Sequence, residues 1–429
     1  MPSEMRPLGE FVTLVSGNTP SKANAAYWGG GTPWVSAKDM ADFWIEDAED
    51  HLTNAGVAVA SQLIPSGGVL LLTRGMTLHK RVPICRLAKP STFNQDVKAV
   101  LPKAGLSPRF LPYLLVGNHD RLHERVDSAG HGTGRLNTDA ILSLPVLVPS
   151  NSDQEGIADI GEAMDERLRL LCQTNATLES IAQAVFKSWF LDFDPVRSRA
   201  EGREPDGMDA ATAALFPAEF EDSEQGLIPK GWSVRSLDSF ATYLNGLALQ
   251  KYPPESDEEY LPVIKIAQLR AGHTNGADKA SARLKPEYVV HDGDVLFSWS
   301  GSLEVELWCG GDGALNQHLF KVTSSDVPKW FYYLATKHFL PSFREIAAHK
   351  ATTMGHIQRG HLKEAKLAMP SAESLHTLSS LMSPLIERRV IGALHARELA
   401  AVRDALLPRL ISGALRLTDT LGQAEETQI

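Results

Sequence analysis

LESIAQAVFKSWFLDFDPVRSRAEG, residues 178–202, lies near the middle of the chain, closing a long amphipathic stretch and leading into an acidic linker that contains Pro and Gly. Upstream, Ile157, Ile160, Met164, Leu168, Leu171, Leu178, Ile181 (or Ala182), Val185 and Trp189 recur in steps of threes and fours, the seam of a coiled coil. Asp153 to Asp192 is 40 residues, which as one helix makes a rod of roughly 60 Å. A rod of that length with one apolar stripe cannot bury the stripe alone, so a second helix is required.

The chain supplies one. Leu378, Leu381, Leu385, Leu394, Leu399, Val402, Leu406 and Leu410 follow similar spacing near the C-terminus. VLVPSNSDQEGIADI (146–160) leads into the first rod and LAMPSAESLHTLSSL (367–381) into the second, so each rod closes a globular segment of similar length. The globules themselves repeat in order. SGGVLLLTRG (66–75) resembles HDGDVLFSWSG (291–301), and FNQDVKAVLP (93–102) resembles LNQHLFKVTS (315–324). TPWVSAKDM (32–40) resembles LPVIKIAQL (261–269), and HGTGRLNTDAILSLPVLVP (131–149) resembles TTMGHIQRGHLKEAKLAMP (352–370). In each globule, short β-rich segments with turn residues between them are followed by a helical stretch, 107–126 or 327–347, which predicts a mixed α/β or α+β unit. The boundaries read as a first globule at 1–150, a central long helix at 151–200, an acidic linker at 201–226, a second globule at 227–370, a C-terminal long helix at 371–415 and a polar tail at 416–429.

A chain of 429 residues forms several domains with ease. It has no run of 18 apolar residues, and MPSEMRPLGEF has no apolar signal core, so the expectation is a cytoplasmic protein. Cys85, Cys172 and Cys309 stand far apart without any CxxC, and read as reduced thiols. The net charge of −10 argues at first against nucleic acid, but it is unevenly spread. Residues 151–226 hold 6 basic and 17 acidic side chains, against 14 and 13 in 1–150 and 16 and 15 in 227–370. The globules are therefore near neutral with local basic clusters, and a local patch decides phosphate binding.

LESIAQAVFKSWFLDFDPVR, LIPKGWSVRSL (227–237) and LLPRLISGAL (406–415) together resemble the specificity subunits of type I restriction–modification systems, over nearly the whole chain and in order. The resemblance implies an α+β fold: two α/β target-recognition domains in tandem pseudo-repeat, separated by two long antiparallel helices that form a coiled coil. It implies a non-catalytic adaptor that reads one half of a bipartite double-stranded DNA target with each domain. The adaptor would recruit two modification (methyltransferase) subunits and, in the full complex, restriction subunits, in the service of phage defence. S-adenosylmethionine, ATP and Mg²⁺ would belong to those partners, and no cofactor or metal to this chain.

The residues agree with an adaptor. No N-P-P-[YF] or D-P-P-Y loop, no G-x-x-x-x-G-K-[ST] phosphate cradle and no assembled nuclease cluster is present. AGHGTG (129–134) follows a helix and not a strand, and reads as a tight polar turn. His119 and His123 at i, i+4 lack a third ligand and read as a solvated helix face. Candidate DNA-binding residues lie in loops at matching places. They are Arg74, His79, Lys80, Arg81, Arg135 and Asn137 in the first globule, and Ser298, Trp299, Ser300, His356, Gln358, Arg359 and Lys363 in the second, with His361 beside them. Arg, Asn, Gln and Lys make paired hydrogen bonds to base edges, and Lys and Arg neutralise phosphates. Leu171, Leu178, Ile181, Val185, Trp189, Phe190, Leu394, Leu399, Val402 and Leu406 are candidates for the coiled-coil or partner interface. Trp189, Phe190 and Phe193 read as packing residues or, in part, as a partner dock, and Asn175 as a buried register-setting residue or a solvated one. The rival readings are an enzyme that joins a methyltransferase to its own recognition domain, which binding of S-adenosylmethionine would reveal, and a coiled-coil scaffold that ignores DNA.

Overall fold

The strands Val69–Leu72 (VLLL) and Val295–Ser298 (VLFS) are buried at every residue. A strand apolar on both faces needs cover on both, and each is paired antiparallel on both sides. In the first globule its neighbours are Val97–Pro102 and Ile84–Leu87, with Val12–Ser16 beyond Val97–Pro102. In the second its neighbours are Leu319–Thr323 and Val305–Leu307, with Thr242–Asn245 beyond Leu319–Thr323. A second sheet accompanies each. Trp28–Val35 pairs in parallel with Thr92–Phe93, and Leu261–Ile264 pairs in parallel with Gly313–Leu315. Gly67 (φ 82°) and Gly293 (φ 85°) turn the chain into the central strands in a conformation that penalises any Cβ. The helices Leu111–Val116 and His119–His123 follow the first sheet, and Lys329–His338 and Leu340–His349 the second. The duplicated α+β architecture is thus present in its central strands, while the first globule adds Trp44–Ile45 at the edge of its main sheet and a small sheet of Asp127–Ala129, Thr133–Arg135 and Arg74–Gly75.

This computed structural model describes residues 4–129, 132–349 and 355–417. Gly130 and His131 of the AGHGTG segment, the first residues of the second globule's TTMGHIQRG turn and nearly all of the polar tail lie outside those ranges. The chain divides into two units, Met1–Arg167 with Leu399–Ile429, and Leu168–Glu398. No helix among the described residues is long and apolar enough to cross a membrane.

Each rod is one continuous helix of 40 residues, Asn151–Phe190 and Ala372–Ile411. In the second unit Asn175 lies against Gly392, and Glu179, four residues on, meets Arg389, three residues back, so the helices run antiparallel. A Cβ on Gly392 would stand 2.3 Å from Asn175 Oδ1, an atom buried with no hydrogen-bond partner among the described residues. Asn175 is therefore a seam residue.

The phase of the seam differs from the sequence expectation by about one residue. Ala158, Gly161, Asp165, Ala182 and Phe186 are buried on the first rod, while Ile181 is 44% exposed. On the second, Leu375, Leu378, Met382, Ile386, Leu407 and Leu410 are buried, while Leu381 and Val402 are 44% and 54% exposed. Ile181 and Val402 therefore lie outside the rod-to-rod contact. Leu171, Leu178, Val185, Leu394, Leu399 and Leu406 are half-buried on its flanks. On the first rod the reason is that most of these buried positions, Ala158, Gly161, Asp165 and Ala182, are small or charged, and a hydrophobic stripe does not register them.

Those charged residues are paired. Glu179 accepts hydrogen bonds from Tyr333 Oη (2.6 Å) and Lys337 Nζ, and its second oxygen meets Arg389 Nε. Glu306 of the second domain takes Arg389 Nη2 at 2.9 Å and Lys337 Nζ at 3.2 Å. Burial pushes the Glu179 carboxyl up, but Arg389 and Lys337 outweigh it and hold the group below its ordinary value. In the first unit Asp165 accepts from Tyr113 Oη and Arg403 Nη1, both at 2.8 Å, yet burial dominates and raises its pKa.

The central stretch ends the first rod in aromatic packing. Phe190 touches the rings of Trp232, Trp330 and Phe331; Trp189 touches Phe216 of the linker; Phe193 touches Phe220 and Trp232. The helix stops at Phe190, and a separate helix, Asp194–Ala200, starts after Phe193, whose φ of 56° is costly for a bulky side chain. These ring contacts hold that sharp turn in place.

Replacing Arg389 with Met removes one of the two cations beside the largely buried Glu179, so the second unit should lose roughly 3–5 kcal/mol, read as a fall in its calorimetric melting temperature. Because the folded pKa of Glu179 lies below its unfolded value, its contribution is present above that unfolded value and is lost as pH falls through the folded one. Glu179→Gln should therefore flatten the acid limb of the stability–pH curve, measured by urea unfolding.

Candidate nucleic-acid interface

At the end of each central strand the chain enters a loop that two other loops hold. In the first domain the backbone N–H groups of Thr73 and Arg74 donate to Asp96 O at 2.8 and 3.2 Å, and Leu136 N donates to Thr73 O at 2.9 Å. In the second, Trp299 N donates to His318 O at 3.3 Å and Ile357 N to Trp299 O at 3.0 Å. The loop following the central strand, the Asn-Gln turn at Asn94-Gln95 or Asn316-Gln317, and the turn after Gly134 or Gly355 thus meet at one end of the sheet in both domains.

What the mouths present differs. Arg74 and Arg135 are cross-strand partners in a small sheet and both are exposed, as are His79 and Lys80. Two guanidinium groups on adjacent strands form a cationic site suited to phosphate or to guanine edges. His79 Nε2 is 2.7 Å from Gly132 O, and Asn137 Nδ2 donates to Asp127 at 2.8 Å. Arg81 instead points inward, donating to the carbonyls of Met40 (2.9 Å) and Ala41 (2.6 Å). It supports the loop from behind.

The second mouth is aromatic and imidazole-rich. Trp299 donates its Nε1–H to Asn245 Oδ1 at 2.9 Å, and its ring lies near His318 and His356 at 5.8 and 6.4 Å. Ser300 Oγ sits 3.0 Å from His318 Nδ1, and Ser300 bridges to His356 through the backbone. Ser298 is fully buried, donating to Ser302 O at 2.6 Å and accepting from Glu304 N at 2.7 Å, so it shapes the loop and cannot reach a ligand. Gln358, Arg359 and Lys363 are exposed, with Arg359 reaching Tyr243 O at 3.2 Å.

Two features escaped the sequence. His119 and His123 are not a solvated face: His119 Nε2 accepts from Val82 N at 3.1 Å, and His123 Nε2 lies 2.9 Å from Leu78 O, so together they pin the 78–82 segment. Gly17 and Gly246 lie directly on the Asn-Gln turns, where a Cβ would meet Asn94 O or Asn316 O at 2.2 or 2.3 Å. Two sequence-distant glycines in matching places were the only signal available.

The family model of the type I restriction modification DNA specificity domain matches residues 2–180 and 229–393. The chain belongs to that family. It is thus a specificity subunit of a type I restriction–modification system, a class that is non-catalytic and assembles with the other subunits of its complex. It is 25% identical to the type I restriction enzyme MjaIX specificity subunit of Methanocaldococcus jannaschii, with 97% of this chain and 94% of that protein covered. It is 24% identical to the HindI specificity subunit of Haemophilus influenzae, over 72% of this chain and 77% of that one. The crystal structure of the type I system S subunit from M. genitalium matches with a TM-score of 0.51 at 13% identity, covering 95% of each chain, and so shares the fold.

The two arginine types separate experimentally. Arg74→Ala should weaken DNA binding by the assembled complex and lower the slope of log affinity against log salt by about one. Arg81→Ala should leave that slope unchanged while lowering the melting temperature, since its two carbonyl partners become unpaired.

Proposed function

We propose that each domain reads one half of a bipartite double-stranded DNA target through its three-loop mouth, and that the chain brings two modification subunits, and restriction subunits where present, to that target in the cytoplasm. What supports the reading is the same loop cluster built twice at the same sheet end, with an Arg74–Arg135 pair in one mouth and Trp299, His318 and His356 in the other. Shared framework with different mouths is what two dissimilar half-sites need. In this reading the partners supply S-adenosylmethionine, ATP and Mg²⁺ chemistry, and this chain supplies position and sequence choice.

Exchanging residues 1–150 for the matching domain of a relative should change one half of the methylated motif and leave the other, as read by methylome sequencing of the host. Change in both halves would refute one half-site per domain. The pure chain should turn over no S-adenosylmethionine, and measurable turnover would favour the joined-enzyme reading. A complex whose band shift is absent at low salt would favour the scaffold.

A further inference from the structure

The Asn-Gln turn is a part of the mouth whose hydrogen-bond pattern the two domains share. Asn94 and Asn316 are buried, and each side-chain oxygen accepts from the backbone N–H two residues on, Asp96 at 3.0 Å and His318 at 3.2 Å. Each closes a small ring that fixes the residue between, Gln95 or Gln317. The glycine approach holds the same turn from the other side, with Asn18 N donating to Phe93 O at 3.1 Å and Leu247 N to Leu315 O at 3.0 Å. Around this common turn the other mouth residues differ, Arg135 standing where the second domain has His356.

Gln95 is exposed, and Thr19 Oγ1 donates to its Oε1 at 2.7 Å, which orients the amide and leaves Nε2 with no partner among the described residues. Gln317 is half-buried, and its Nε2 has only a long contact, 3.3 Å, to His318 Nε2. Each turn therefore presents an amide donor at the mouth. An element kept the same in two readers of different sequences is suited to what the two half-sites have in common, the sugar–phosphate backbone.

We infer that Gln95 and Gln317 are backbone anchors: each donates an amide N–H to a DNA phosphate oxygen and sets the depth at which its differing neighbours meet the bases. The inference rests on the DNA-reading assignment above. A neutral donor releases no counterion, so its loss weakens binding without changing the salt dependence.

The test uses the full complex with modification subunits, and duplexes carrying the methylome-defined target or a scrambled one, in a salt titration followed by fluorescence anisotropy. Gln95→Met and Gln317→Met keep length and remove the donors, and unchanged melting temperatures verify folding; Gln95→Ala and Gln317→Ala serve if a Met variant misfolds. The expected result is about tenfold weaker binding to both duplexes, an unchanged salt slope and an unchanged methylated motif. A relaxed base within one half-site would make the glutamine a base reader and overturn the proposal. Unchanged affinity would leave it a turn former and also overturn it. A wild-type complex that binds neither duplex would overturn the DNA-reading assignment itself, and this inference with it.

Discussion

Glu179 is a carboxylate in the seam between two helices, and it is tolerable there only because Arg389, Lys337 and Tyr333 converge on it. A buried charge that lacks its partner costs several kcal/mol, so the rods, the strand holding Glu306 and the helix holding Tyr333 and Lys337 have to arrive together. Apolar burial favours rod pairing without choosing among sliding registers. A charge with a fixed set of donors admits one, which is the best-attested use of polar seam residues.

Part of the acidic excess of residues 151–226 is paired in the same way in the first unit. Arg109 meets Glu155, Asp159 and Glu162 on the first rod, Arg86 also meets Glu162, and Asp165 takes Tyr113 and Arg403. Four of the acids that count against DNA binding in the net charge, Glu155, Asp159, Glu162 and Asp165, are thus neutralised by arginines of the same unit. The exposed mouth keeps Arg74, Arg135 and Lys80 on its surface.

Duplication and divergence divide along burial. The buried frame is held in common: central strand, parallel pair, Asn-Gln turn and a glycine beneath it. Changing one of those residues disturbs packing that a neighbour depends on. Side chains at the mouth meet solvent on one side, so Arg can stand where its counterpart is His with no loss of core. A reader of two unlike half-sites can be built from one frame for that reason.

The sequence by itself determined that there are two rods of about 40 residues, two globules of one pattern, and the family. Those are periodic or repeated signals, and periodicity is a one-dimensional property that chain order preserves. Which residues of a helix face the partner was decided by tertiary structure: Ala182 and Gly161 bury because their size lets another helix or ring approach, and Asp165 because its donors come from residues 113 and 403. Likewise Arg74 and Arg81, alike in sequence, part company only when the carbonyls of Met40 and Ala41 fold behind one of them. A side chain's role follows from what lies within a few ångströms of it, and those neighbours are set by the fold and not by the chain.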